Sequence, residues 1–150
     1  MHGDSRRILK AVAKRGELSL AEAIRLASSR HNNHRDQYPL ALLIEGGYVG
    51  MTLNHTPPNG AEDMREFSLA TMLHMYRLPK NDQGETHYEG IRSSGSVDPR
   101  NERVFMKAKG ALYLDAESEK RRDRLYALLI GFSAGFLSAF LSSWLYGEIK

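Results

Sequence analysis

The feature that most constrains this chain is an uncharged run of 22 residues, Leu125–Tyr146, which ends four residues before the last residue of the sequence. A helix rises about 1.5 Å per residue, so the run would be about 33 Å long, enough to cross a hydrocarbon core of about 30 Å. Tyr126, Trp144 and Tyr146 lie near its ends, where aromatic side chains are typical of membrane interfaces. We therefore interpret residues 123–147 as a transmembrane helix and residues 148–150 as a short tail. The alternative is a buried core or dimerisation helix.

A basic cluster comes directly before this run, and the N-terminus has no apolar stretch of signal-peptide length. Positive charges beside a span favour the cytoplasmic side of a membrane. We therefore expect a single-pass membrane protein with its N-terminal head in the cytoplasm. The same cluster is predicted to contact anionic lipid, at about 1 kcal/mol per basic residue near the surface. Its members are Lys120, Arg121, Arg122 and Arg124.

Small residues recur at every fourth position of the uncharged run and form one ridge on a helix. Within lipid, close approach of two backbones is what drives helices to associate. The ridge therefore predicts helix–helix packing and a homodimer or other oligomer. It consists of Ala127, Gly131, Gly135, Ala139 and Ser143.

Composition limits the chemistry that this chain can perform. It has no cysteine, which excludes disulfides, thiolate catalysis and cysteine-ligated zinc. His31 and His34 are too few ligands for a metal site, and no common catalytic motif is present, so we expect no metal, no cofactor and no catalysis. Basic residues exceed acidic ones in residues 1–60 and 103–124, whereas residues 61–102 are acidic. Two separated basic segments suit an anionic partner, nucleic acid or lipid headgroups, but an ordinary solvated surface explains the charge equally well.

Local signals predict three short helices and then a strand in the first third of the chain. Apolar residues at helical spacing give a first helix that ends at Gly16, and Ser19 with Glu22 forms a capping box that begins the second. The third helix begins near Asp36–Tyr38, because Pro39 is tolerated only in a first turn, and Gly46-Gly47 ends it. Strands are predicted for Tyr48–Leu53 and Arg103–Met106.

This order of elements resembles a winged helix-turn-helix domain. Leu40–Val49 looks like the end of that family's recognition helix running into the first wing strand. Arg103–Met106 looks like the second wing strand, and Lys107–Leu114 resembles the strand-to-helix step that closes many such regulators. The resemblance implies a mainly α fold, an α+β winged helix-turn-helix head made by residues 1–53 and 103–122. That head would carry a long insertion in its wing and one C-terminal transmembrane helix.

The resemblance also implies DNA contact by the start of the third helix, because that end enters the major groove. Arginine, asparagine and glutamine pair with base edges, and Arg6, Arg7, Lys10 and the later lysines could hold phosphates. The predicted function is a membrane-anchored transcriptional regulator that binds DNA and dimerises through its last helix. The predicted DNA-binding residues are Arg30, His31, Asn33, His34, Arg35, Gln37, Lys107 and Lys109.

The insertion, residues 54–102, supports an alternative function, since winged helices also bind proteins. It begins with a predicted loop, His55–Gly60, and continues with a helix over residues 61–78, for which a strand over 67–76 is the alternative. Residues 80–102 are predicted to form a mobile polar loop. The methionines at 64, 72 and 75 could line an adaptable groove, although we favour a core position for them. The alternative function is a membrane-associated interaction module that binds a protein partner through residues 54–102.

Overall fold

The computed structural model describes residues 3–55, 62–94 and 97–147, with the side chains of residues 62, 139, 140 and 142–147 left out. Two compact units divide the chain, Met1–Leu112 and Tyr113–Lys150. The described α-helices are α1 (Gly3–Arg15), α2 (Leu20–Leu26), α3 (Tyr38–Glu45), α4 (Arg65–Met75) and α5 (Ala108–Gly147). Short 3-10 turns at His34–Gln37 and Glu62–Met64 lead into α3 and α4. The described strands are β1 (Glu17–Ser19), β2 (Val49–Met51), β3 (Thr86–Tyr88), β4 (Ile91–Ser93) and β5 (Arg103–Met106).

The N-terminal helices form where the local signals predict them. In the capping box, the Ser19 hydroxyl accepts a hydrogen bond from the Glu22 backbone N–H at 3.3 Å. The Glu22 carboxylate accepts one from the Ser19 backbone N–H at 3.1 Å. Pro39 falls in the first turn of α3, where its missing N–H costs no helical hydrogen bond. The predicted capping box and the predicted start of the third helix are both confirmed.

A three-stranded antiparallel sheet joins the two ends of the first unit. Its strand order is β1-β5-β2, with Leu18 opposite Val104 and Gly50 opposite Phe105. Leu18, Val49 and Val104 are buried and connect the sheet with the core face of α1. The predicted strands correspond to β2 and β5, whereas β1 was not predicted.

Residues between β2 and β5 fold as part of the first unit. Helix α4 packs against α3 and the His34–Gln37 turn, burying Leu69, Ala70 and Leu73. The predicted helix is confirmed, and the alternative strand is wrong. The prediction of a mobile polar loop over 80–102 is also wrong in part, because β3 and β4 form a hairpin there with Thr86 opposite Ser93. Of the predicted loop at 55–60, only His55 lies among the described residues.

The predicted transmembrane helix is wrong. No helix among the described residues is both long enough and apolar enough to cross a membrane. Helix α5 starts at Ala108, its first half carries the charged residues 115–124, and Gly131, Ser133 and Gly135 interrupt the apolar part that follows. The predicted single-pass membrane localisation, with a cytoplasmic head, is overturned by the same finding. The tail 148–150 lies outside the described residues.

The predicted fold class is consequently wrong as well. It combined a winged helix-turn-helix head and a long wing insertion with one transmembrane helix. The described residues instead form a mostly helical chain with a small three-stranded sheet and a separate hairpin, and no helix among them spans a membrane. The error came from assigning the final apolar run by itself, without the charged helical turns to which it is joined.

Gly110 gives a test of the packing where α5 begins. A Cβ at this position would collide with the Tyr48 carbonyl oxygen and lie 2.6 Å from the Met106 sulfur. Because a backbone oxygen cannot move aside cheaply, we expect Gly110→Ala to destabilise the chain by about 1–3 kcal/mol. Urea unfolding followed by circular dichroism measures the change.

The matched control is Gly131→Ala in the same helix, where a Cβ would have no heavy atom within 4 Å. This exchange should leave stability unchanged or raise it by up to about 1 kcal/mol, through helix propensity alone. Equal unfolding midpoints for the two variants would contradict the described packing of Gly110.

Candidate functional site

A cavity of about 470 Å³ lies within the first unit, and its lining residues belong to the segment of the chain that connects β2 with β5. Helix α4 forms one wall, the β3–β4 hairpin forms another, and Val97 and Pro99 contribute to the lining. Its volume is in the range of about 300–1,000 Å³ that is usual for small-molecule sites. The larger apolar side chains on its surface are Met64, Phe67, Met72, Met75, Tyr76, Leu78 and Ile91.

The sequence of α4 explains how one helix serves both the core and the cavity. Residues three and four positions apart share a helix face. Ser68, Thr71, Met72 and Met75 follow this spacing and all line the cavity. Leu69 and Leu73 belong to the opposite, fully buried face. The three methionines predicted for a core therefore line the cavity, with Met75 buried and Met64 exposed.

Two polar atoms of the cavity lining are buried without a hydrogen-bond partner among the described residues. They are the Thr71 hydroxyl, on a residue only 3 % exposed, and Nε2 of His55. Leaving such an atom unpaired costs about 1–3 kcal/mol, and native structures contain few of them. An unmet hydroxyl and an unmet imidazole nitrogen on one cavity mark where a polar group of a ligand could bind.

The surroundings of His55 favour its neutral form. Burial lowers its pKa below the ordinary 6.5, and Arg65 lowers it further, while Glu45 opposes both. A neutral imidazole can either donate or accept at Nε2, depending on its tautomer. The cavity therefore presents neutral hydrogen-bonding groups in its wall.

An aromatic cluster backs the cavity wall. The ring of Phe67, which lines the cavity, meets the ring of His34 edge to face at 4.9 Å. Nδ1 of His34 lies 3.0 Å from the Tyr88 hydroxyl, and the Tyr88 ring meets the His74 ring at 4.6 Å. These contacts connect the cavity with the 3-10 turn that precedes α3.

That turn carries three of the eight residues predicted to bind DNA, and the buried carboxylate of Asp36 within it fixes the loop before it. Asp36 accepts hydrogen bonds from the backbone N–H groups of Arg30, His31 and Asn32 at 3.0, 2.9 and 2.8 Å. Hydrogen bonds to a charged acceptor contribute about 1.5–3 kcal/mol each. The side chains of Arg30, His31 and Arg35 are exposed on this fixed loop and turn.

The remaining predicted DNA contacts have other surroundings. Gln37 is 0 % exposed, Asn33 accepts a hydrogen bond from the Arg35 N–H at 2.9 Å, and His34 belongs to the aromatic cluster. Lys109 donates to the Gly46 carbonyl at 2.8 Å and lies over the Tyr48 ring, whereas Lys107 is exposed. Because α4 packs on the turn and on α3, this arrangement leaves few groups free to read base edges.

Residues assigned to helix packing and to lipid contact all lie on α5. Ala127 is exposed, and Cβ atoms at Gly131 and Gly135 would have open space. The side chains of Ala139 and Ser143 lie outside the described residues, so helix–helix packing stays a prediction. The predicted lipid contact assumed a membrane anchor next to the basic cluster, and no helix among the described residues could be that anchor. The four residues of the cluster are exposed on α5, where Arg121 pairs with Glu117 at 3.4 Å.

Comparison with known proteins gives no family for this chain: no family model, no curated protein and no solved structure matches it. The predicted resemblance to winged helix-turn-helix regulators with a C-terminal anchor is therefore wrong. No family model supports a winged helix, and no helix among the described residues could serve as the anchor.

Sequence reasoning missed Thr71 and treated His55 only as one scattered histidine. The available signal was the polar and methionine spacing at 68, 71, 72 and 75, which differs from the Leu69–Leu73 spacing of the core face. The partners across the cavity, Thr86 and Ile91, come from a hairpin that was not predicted.

The buried histidines predict a loss of stability in mild acid. Burial lowers the pKa of His74, as do Arg77 and His34, while Asp36 and Glu89 oppose them. As pH falls through 6.5, His74 and His55 are protonated in the unfolded chain before they are protonated in the folded chain, where their pKa values are lower. The unfolded chain therefore binds more protons, and the free energy of unfolding decreases. Urea midpoints at pH 7.5 and 5.5 measure this slope.

We expect His74→Phe to flatten the slope and His31→Gln, at an exposed position, to leave it unchanged. The reason is that, of these two residues, His74 is buried, at 2 % exposure, whereas His31 is exposed. An unaltered slope in His74→Phe would show that another group carries the pH dependence.

Proposed function

We propose that this chain is a small-molecule-binding protein whose cavity, formed between residues 55 and 99, holds an apolar molecule that carries a polar group. The observation that supports it is a pair of buried polar atoms, on Thr71 and His55, that line a cavity of about 470 Å³ and have no hydrogen-bond partner within the part of the chain that the structure describes. Hydrogen-bonding groups of a ligand would supply partners for these side chains.

The cavity lining matches an apolar ligand of variable shape. Met64, Met72 and Met75 have flexible, polarisable side chains that adapt to different apolar surfaces. Apolar area removed from water contributes about 25 cal/mol per Å². The apolar wall therefore provides affinity, whereas the Thr71 hydroxyl and His55 imidazole provide orientation.

Contacts around the cavity also suggest how its occupancy would be sensed. Phe67 touches the cavity with one side and His34 with the other. Arg77, two residues beyond α4, donates to the Ser29 hydroxyl at 2.5 Å. A ligand that shifts Phe67 or α4 would therefore act on the loop that presents Arg30 and Arg35.

The proposal predicts which methionines respond to a ligand. With methyl-¹³C-labelled methionine, titration with 1-octanol should shift the NMR signals of Met64, Met72 and Met75. The signals of Met51 and Met106, which do not line the cavity, should stay in place. Ser68→Trp places a large ring in the cavity. It should raise the octanol concentration needed for these shifts at least about tenfold.

The matched control is Ser118→Trp, the same exchange at an exposed position of α5. Because residues 108–150 contain no methionine, adsorption of octanol to the exposed apolar side chains of α5 does not enter the measurement. Uniform shifts of all methionines, or shifts that persist in Ser68→Trp, would contradict binding in the cavity.

Contact with nucleic-acid phosphates is a second candidate function. The exposed Arg30, His31 and Arg35 favour it, because the Asp36 carboxylate fixes the backbone that presents them. Fixed cations suit phosphates, for which position matters less than charge. Binding of a protein partner through residues 54–102, and oligomerisation through α5, stay predictions.

Electrophoretic mobility of a DNA duplex tests this candidate. Arg30→Ala combined with Arg35→Ala should reduce the steepness of the salt dependence by about two phosphate contacts. Arg65→Ala with Arg100→Ala removes the same charge from exposed positions elsewhere and should have a smaller effect. Absence of binding at low salt, or equal losses in the two double variants, would eliminate this function.

A further inference from the structure

Two buried polar atoms line the cavity without a hydrogen-bond partner among the described residues, and they belong to different parts of the chain. The Thr71 hydroxyl lies in the middle of α4, whereas His55 belongs to the segment that connects β2 with α4. The charges of Arg65 and Glu45 act on the His55 imidazole, and Arg65 is the first residue of α4. His55 therefore lies near the beginning of α4.

The two atoms consequently reach the cavity at different levels along this helix. Thr71 lies six residues beyond Arg65, which corresponds to about 9 Å along the helix axis. A hydrogen bond joins heavy atoms that are only about 2.7–3.2 Å apart. A single ligand group that pairs with the Thr71 hydroxyl would therefore leave Nε2 of His55 unpaired, and a buried polar atom without a partner is costly.

Both positions favour uncharged partners. A threonine hydroxyl donates and accepts, and Nε2 of a neutral imidazole does one or the other, depending on its tautomer. Thr71 is only 3 % exposed, so a ligand group that reaches its hydroxyl leaves water. An ionised group would lose its hydration there and would gain only neutral partners, whereas a hydroxyl group would replace each hydrogen bond that it loses.

We propose that the ligand of this cavity is an uncharged apolar molecule with two separate hydrogen-bonding groups, one paired with the Thr71 hydroxyl and one with Nε2 of His55. An aliphatic diol is the simplest member of this class. The apolar body lies against Phe67, Met72 and Met75, which line the same cavity. The inference rests on the proposed function and names the ligand class of the same site.

Pairs of alcohols with equal chain length test the second hydrogen-bonding position. The α,ω-diols with six, eight and ten carbons, and the corresponding 1-alkanols, are titrated into the full chain with methyl-¹³C-labelled methionine, following Met64, Met72 and Met75. In a cavity with one hydrogen-bonding position, the second hydroxyl is buried unpaired and the diol binds about tenfold more weakly or worse. With two positions, the diol of at least one length should bind as tightly as its 1-alkanol or up to about tenfold more tightly.

The ω-hydroxycarboxylate with the same chain length as the best diol tests the absence of charge. At pH 7.5 its carboxyl group is ionised. It should bind more weakly than the diol, because the buried wall offers no compensation for the hydration that the charge loses.

Two single variants test which residues hold the two groups. Thr71→Val and His55→Phe each remove one hydrogen-bonding position and leave an apolar side chain of similar shape. Each should lower the affinity of the best diol about tenfold, whereas the 1-alkanol should change little because it can use the remaining position. His31→Phe, the same exchange at an exposed residue outside the cavity lining, should leave both affinities unchanged. Circular dichroism of each variant reports whether the fold is retained.

The outcomes separate this inference from the proposed function. If the 1-alkanols shift Met64, Met72 and Met75 but the diol binds more weakly at every chain length, the two-group ligand is overturned and the proposed function stands. A hydroxycarboxylate that binds more tightly than the diol, or a preference for the diol that survives Thr71→Val or His55→Phe, also overturns only this inference. If none of the alcohols shifts these methionines, both are overturned.

Discussion

Helix α4 has one face in the buried core and another face on the cavity. The fold of the segment that connects β2 with β5 depends on both faces. Leu69 and Leu73 are fully buried on the side that packs against α3 and the His34–Gln37 turn. Thr71, Met72 and Met75 line a cavity on another side. The same helix therefore covers part of the surface where DNA contact was predicted and creates a concave site that was not predicted. A helix with one polar, solvated face would neither cover that surface nor create a concave site.

Asp36 has a comparable role for the loop before α3. Its buried carboxylate would be costly without partners, and three backbone N–H groups of residues 30–32 supply them. The loop is thereby held in one conformation next to the aromatic cluster of His34, Phe67 and Tyr88. The cavity wall and the aromatic cluster are thus in contact through Phe67 and His34, and His34 belongs to the turn that also carries the exposed Arg35.

Sequence reasoning succeeded where a structure depends on near neighbours. The Ser19–Glu22 capping box, Pro39 in a first turn and the β5 strand follow from a few adjacent residues. β1 was missed because its three residues gain their strand conformation from pairing with β5, more than eighty positions away. The β3–β4 turn uses Glu89-Gly90, both with positive φ, where Asn-Gly or Asp-Gly is the usual signal. The anchor was wrong because a run was assigned without the helix that contains it.

The Thr71 hydroxyl is the observation that favours the proposed binding cavity over a cavity that is only poorly filled. Valine has almost the same shape as threonine without the hydroxyl, so valine at this position would remove the unpaired hydroxyl from the wall. Larger side chains at Ser68 or Ser93 would fill part of the space and bury more apolar surface. A chain optimised for stability alone would favour both changes. The Thr71 hydroxyl and the open volume are instead features that the proposed ligand, an apolar molecule with a polar group, would require.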